Sequence, residues 1–225
     1  MSTESIGASG RPASGPAPHV LADLVAGAKS TVGSASGSAS GSTSGSTSGV
    51  ASGAALRNVA LVLGGTLFLI AAGFIVIPLP FTPVPVSLAT FAVLLTGASL
   101  GPVRAAASAG LYLALGALGA PIFADGASGV LFPSFGYIVG YVLAAVAVGA
   151  LARRRADRHV VSTVGASVLG TLLVYAAGVP WLALSLGVDL GTALALGVVP
   201  FLIGDAIKIA AVSALLPSAW KLIKR

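Results

Sequence analysis

The chain has 225 residues, of which 56% are hydrophobic and 8% charged, with a mean hydropathy of +1.01 and a net charge of +6. This composition excludes an ordinary soluble domain, and the lack of cysteine excludes a disulfide framework, a thiolate metal site and a cysteine nucleophile. The basic residues do not point to nucleic acid, because they cluster at the ends of apolar runs, where topology signals belong.

Residues 1–54 are rich in Ser, Gly, Ala and Thr, include the repeat SGSASGSTSGSTSG, and lack the apolar bulk that offsets the entropy of ordering. They are expected to form a low-complexity, disordered tail. The mixed stretch HVLADLVAGA within it offers an alternative, a short interfacial helix from about residue 20 to residue 28. No basic region joined to a compact apolar core precedes it, so a cleaved signal peptide is not expected.

Residues 55–225 read as an all-α, membrane-embedded domain of six transmembrane helices. Cutting the apolar runs at their Pro, Gly and charge stops predicts spans at about 58–77, 86–100, 104–118, 135–151, 161–184 and 200–218. Pro200 suits the first turn of the last helix. Residues 191–199 are apolar but too few to cross, and are expected to form an outer hairpin or short helix. Arg57, Arg104, Arg153, Arg154, Arg155, Arg158, Lys221, Lys224 and Arg225 fall on one side of this arrangement, and Asp125 and Asp189 on the other. The positive-inside rule then places both termini in the cytoplasm.

Between the first two spans, IPLPFTPVPV carries Pro78, Pro80, Pro83 and Pro85, which exclude regular helix. The segment reads either as a semi-rigid lid over a pocket or as a plain connection. Between the third and fourth spans, Phe123, Phe135 and Tyr137 either stack on a flat ligand or form an interfacial aromatic belt. Small residues four apart, Ala60 with Gly64 and Ala105 with Ala109, let helices approach closely, within the chain or at a partner.

Asp205 and Lys208 are the ionisable pair inside an apolar span, on one helical face at i, i+3. A charge in the bilayer costs at least about 2.5–3.5 kcal/mol, so the pair either satisfies itself as a structural bridge or faces a cavity. His19 and His159 lie outside the spans and offer no metal site there. The chain has no GxxxxGK[ST] and no HExxH, and beyond that pair its spans supply only scattered hydroxyls such as Ser87, Thr90, Thr96 and Thr171. An enzyme is not expected, and neither ATP hydrolysis nor a bound metal.

Five blocks in order, IPLPFTPVPVSLATFAVLLTGASLGP, LYLALGALGAPIFADGASG, FGYIVGY, YAAGVPWLA and VVPFLIGDAIK, resemble the biotin-specific substrate-binding subunits of energy-coupling-factor transporters. The resemblance runs from about residue 63 to the C-terminus. It implies six helices in a bacterial plasma membrane, high-affinity biotin binding from outside, and docking on a transmembrane coupling subunit joined to two ATPase subunits. No cofactor is implied, since biotin is the transported ligand. The family's last-helix Asp and Lys line the vitamin pocket, which carries over to Asp205 and Lys208, and its first loop acts as a lid, here 77–86. We assign the ureido N–H groups to Asp205 and the valerate carboxylate to Lys208. Related sequences often carry Gln where this one has Ala89, so that contact is absent or replaced. The alternative within the class is a subunit for a different small vitamin.

Overall fold

The computed structural model of the protein describes residues 20–22 and 48–223. Most of the expected disordered tail, together with His19, Lys224 and Arg225, lies outside the described residues. Helix α1, Ser48–Gly73, is followed by two short antiparallel strands, β1 (Val76–Ile77) and β2 (Val86–Ser87), paired Val76 to Ser87 and Ile77 to Val86. Then come α2 (Ala89–Leu100), α3 (Pro102–Ala117), α4 (Phe135–Arg153), α5 (Val160–Leu186), the short α6 (Leu190–Gly197) and α7 (Leu202–Ile223).

Helix α1 starts ten residues before the expected span and ends four before its expected end. Good helix formers at Ala54, Ala55 and Leu56 extend it at one end. At the other, the chain leaves the helix to pair β1 with β2 around the prolines, and the Leu88 N–H closes the hairpin on the Ile75 carbonyl at 3.0 Å. The apolar stretch before the last helix is the short helix α6. Its N-cap is Asp189, whose carboxylate accepts the Thr192 N–H at 3.0 Å and the Thr192 hydroxyl at 2.5 Å. Those bonds, the hydroxyl first, hold the Asp189 carboxyl below the usual carboxylate range.

Helices within residues 53–73, 135–153, 160–186 and 190–222 are long and apolar enough to cross a membrane. Helices α2 and α3 have 12 and 16 residues, about 18 and 24 Å at 1.5 Å per residue, less than the ~30 Å hydrocarbon core. Exposed apolar side chains ring the bundle, among them Leu56, Leu67, Val161, Leu172, Ile203 and Ile207, as in a multi-pass membrane protein whose solvent is lipid.

Helix α4 is central and packs on α2, α3 and α5; α1 lies against α2 and α3, and α7 against α2 and α5. Gly140 makes the α4–α5 contact possible, because a Cβ there would sit 2.7 Å from the Val174 Cα. Gly101, at φ +80°, turns the chain sharply from α2 into α3, where Pro102 occupies the first helical turn. One end of the bundle gathers the basic residues: Arg104 donates to Asn58 at 3.0 Å, and Arg153 lies beside Gly101. There Arg158 stacks on Trp220 at 4.4 Å, and the Trp220 N–H donates to Asp157.

Residues 20–22, counted above with the disordered tail, belong to the packed body. Val20 is buried against the Gly101 turn, and Leu21 joins Leu94, Ala98, Val148, Val212 and Trp220 in a cluster at the basic end. The opposite end carries the hairpin, the 118–134 connection and α6.

Candidate functional site

The Val199–Phe201 turn, with Pro200 in it, feeds α7 at the end away from the basic residues. Asp205 therefore falls in the first turn of α7, where the positive end of the helix dipole favours a carboxylate, and Lys208 lies one turn further in. Asp205 and Lys208 are 7% and 8% exposed, and Lys208 Nζ lies 3.2 Å from Asp205 Oδ1. The other carboxylate oxygen, Oδ2, accepts the hydroxyl of Tyr175 from α5. The result is a continuous Tyr175–Asp205–Lys208 chain. Both charges meet at one point, so in this geometry they do not stand at opposite ends of a ligand.

This polar group forms one end of a cavity. Val84, Pro85 and Ser87 of the hairpin, Ala89 and Thr90 of α2, and Tyr137 and Tyr141 of α4 line further walls. Phe123 and Phe132 from the long connection, with Thr171 of α5, complete much of the rest. The free volume is about 50 Å³, room for a few waters by the ~10–15 Å³ each needs on this measure, so a larger ligand must push the lining apart. Thr171 Oγ1 is buried without a hydrogen-bond partner among the described residues. Ala89 is buried on the α2 wall, and the polar groups beside it are Ser87 and Thr90, which face the Tyr141 hydroxyl.

The expected site residues divide. Tyr137 lines the cavity with its ring, but its hydroxyl is committed to the Gly197 carbonyl at 2.9 Å, tying α4 to the end of α6. Phe123 is fully buried, lines the cavity and packs edge-on against Tyr112 at 5.2 Å. Phe135 is not part of the lining: it packs between Phe132 and Trp181, at 5.9 and 5.4 Å. As the first residue of α4, two before Tyr137, it points to nearly the opposite side of the helix, about 200° around.

Of the four prolines, Pro85 lines the cavity, while Pro78, Pro80 and Pro83 are exposed on the outside of the hairpin. Between them Thr82 is buried and donates to the Leu196 carbonyl of α6 at 2.8 Å, a bond across the top of the site. The small-residue stripes also separate. Ala105 and Ala109 are buried inside the bundle, whereas Ala60 and Gly64 are exposed, and a Cβ at Gly64 would meet nothing within 4 Å among the described residues.

Tyr175 and Thr82 were missed as site residues. Tyr175 opens the YAAGVPWLA block, which was the available signal, but its pairing with Asp205 depends on how α5 packs against α7.

A family model described as the BioY family matches residues 42–225. Among relatives, the probable biotin transporter BioY of Pyrococcus horikoshii is 38% identical over 131 residues, covering 57% of this chain and 75% of that protein. The biotin transporter BioY of Rhodobacter capsulatus is 33% identical over 168 residues, 68% and 87% of the two chains. The crystal structure of the S-component for biotin from an ECF-type ABC transporter superposes with a TM-score of 0.68 at 26% identity, covering 75% of this chain and 93% of that one.

Proposed function

Since the chain belongs to the BioY family, we propose that it is the biotin-binding membrane subunit of an energy-coupling-factor ABC-type transporter. The observation that carries this reading is the buried Asp205–Lys208 pair at the polar end of an aromatic-walled cavity, at the end of the bundle away from the basic residues. As a structural bridge alone such a pair is poor value, because desolvating both ions offsets much of their attraction. Facing a cavity, the same carboxylate is an acceptor for a ureido N–H.

The polar group takes the bicyclic end of biotin. Asp205 accepts from the cyclic urea, and Lys208 holds the carboxylate in place through its other oxygen. A valerate carboxylate placed at Lys208 would also lie against Asp205 and be repelled by it, so the valerate chain runs toward the mouth instead. The sequence-based assignment of Lys208 to the carboxylate is revised accordingly. Phe123, Phe132 and Tyr137 supply apolar wall for the ring system. The hairpin, held by Thr82, is the lid that opens to admit the ligand.

In the membrane, six elements cross, with β2 and residue 88 adding depth to α2. The basic end faces the cytoplasm and the lid faces outside. The open stripe at Ala60 and Gly64 is the surface for the transmembrane coupling subunit, which links the chain to two ATPase subunits. Biotin is cargo, and no cofactor takes part.

The test is ligand identity. The chain is expressed in cells supplied with biotin, purified in detergent and denatured, and the released small molecules are identified by mass. Biotin approaching one per chain is expected; a different vitamin at that level overturns the assignment.

A further inference from the structure

In the cavity, the acceptor and the donor that a cyclic urea needs already lie side by side. Asp205 Oδ2 is a bare acceptor once the ligand arrives, and the Tyr175 hydroxyl hydrogen-bonded to it carries a proton that can be redirected. The other oxygen, Oδ1, is held by Lys208, so the carboxylate cannot swing away. In a five-membered cyclic urea, one N–H and the C=O share an edge and point the same way. That donor–acceptor edge is the complement of the neighbouring Asp205 acceptor and Tyr175 donor.

We infer that Tyr175 is a specificity-determining residue: on binding, its O–H turns from Asp205 Oδ2 to the ureido carbonyl oxygen, while a ureido N–H takes its place on Oδ2. No proton is transferred. One hydrogen bond is exchanged for two, and the carbonyl oxygen is read directly. Tyr175 is held for this by its edge-on contact with the Tyr137 ring at 6.3 Å, and Tyr137 is itself anchored to the Gly197 carbonyl. The inference rests on the biotin reading above and adds which atom of the ligand the site examines. A competing role would leave Tyr175 as a placeholder that satisfies Asp205 only in the empty site; it predicts the opposite sign on removing the hydroxyl.

The experiment compares biotin with its thione analogue, in which sulfur, a weak acceptor, replaces the ureido oxygen. Equilibrium binding to purified wild type and Tyr175→Phe is measured in detergent, after each is shown to be monodisperse. The Phe ring preserves the contact with Tyr137. Wild type is expected to prefer biotin over the thione by about tenfold or more, the order of one lost hydrogen bond to the carbonyl. Tyr175→Phe is expected to weaken biotin by about the same factor and to lose most of that preference. The inference is overturned if Tyr175→Phe binds biotin as tightly as wild type or more tightly, or if it keeps the full preference. Should the variant fail to fold, wild type alone decides: equal affinity for the two ligands overturns the role. Failure of the underlying reading looks different, since wild type then shows no saturable biotin binding at all.

Discussion

Asp205 and Lys208 are 3.2 Å apart, and that distance determines how substitutions should sort two ligands. If both serve the ureido end, Asp205→Asn and Lys208→Met each weaken biotin by about 1.5–3 kcal/mol, the usual cost of a lost charge-assisted bond. Biotin amidated at its carboxylate should lose as much as biotin does on Lys208→Met. A much smaller loss for the amide, in parallel titrations, would return Lys208 to the carboxylate. Removing both charges should leave the fold at least as stable as either single variant, because each single variant leaves one buried ion alone and the double variant leaves none.

A second buried carboxylate, Asp157, lies at the basic end, 2% exposed, with Trp220 donating to one oxygen and no partner for the other among the described residues. Burial pushes its carboxyl above the usual range, opposed by the Trp220 bond and by the charge of Arg158. A carboxyl raised in the folded state binds its proton more tightly there than in the unfolded chain. Its stabilising contribution is therefore complete at acid pH and is lost as the pH rises through the raised value. Asp157→Asn keeps an acceptor for Trp220 without the charge. Thermal unfolding of wild type relative to this variant should gain stability as the pH is lowered from 7 toward 4; a constant difference between them would contradict the role of burial.

Among the elements, the β1–β2 hairpin is seated by Val84 in the core and tied to α6 by the Thr82 hydroxyl, which donates to the Leu196 carbonyl. Thr82→Val preserves shape and removes the donor. Stopped-flow measurements with labelled biotin should find both association and dissociation faster, by several-fold for a bond worth about 1 kcal/mol, with a smaller change in affinity. Unchanged rates would mean that the hairpin does not gate the site.

Val20 and Leu21 belong to the other end, where burying each contributes about 1.5–3 kcal/mol. Replacing both with Ser should lower the melting temperature and leave biotin affinity alone, since the cavity is at the far end of the bundle. A matching loss of affinity would show that the two ends are coupled.

These elements also mark where sequence reading stops. Apolar runs, proline stops and the one-sided basic residues were visible along the chain, and so was the Asp205–Lys208 pair, because ions inside an apolar span stand out. Helix orientation was not visible. With lipid on one side and protein on the other, both faces of a helix are apolar, and the periodicity that identifies the inner face of a soluble helix fades. That is why Phe135 was grouped with Tyr137 although it points elsewhere, and why Tyr175 was not singled out within its block. The hairpin was hidden because β1 and β2 have two residues each, too few for an alternation to register. Val20 and Leu21 were lost in a polar segment whose average composition says nothing about two well-placed side chains.

At the scale of the whole molecule, the end carrying Arg153, Arg154, Arg155 and Arg158 and the end carrying the hairpin must lie on opposite faces of the membrane for a cavity loaded from outside to work. The chain contains no cysteine, so single cysteines report cleanly. One placed at Arg155 should resist an impermeant thiol reagent in intact cells and react after the membrane is opened, while one at Asp125 should react at once. Labelling of the Arg155 position in intact cells would invert the proposed orientation.

The central claim is that this chain alone holds biotin, at Asp205 and Lys208. Equilibrium binding of labelled biotin to the purified protein tests it most directly, with unlabelled biotin, thiamine and riboflavin as competitors and the folded Asp205→Asn, Lys208→Met double variant beside it. Saturable binding of one biotin per chain is expected, displaced by biotin but not by the other two vitamins, and lost in the double variant. Binding displaced equally well by another vitamin, or biotin affinity unchanged in the double variant, would contradict it.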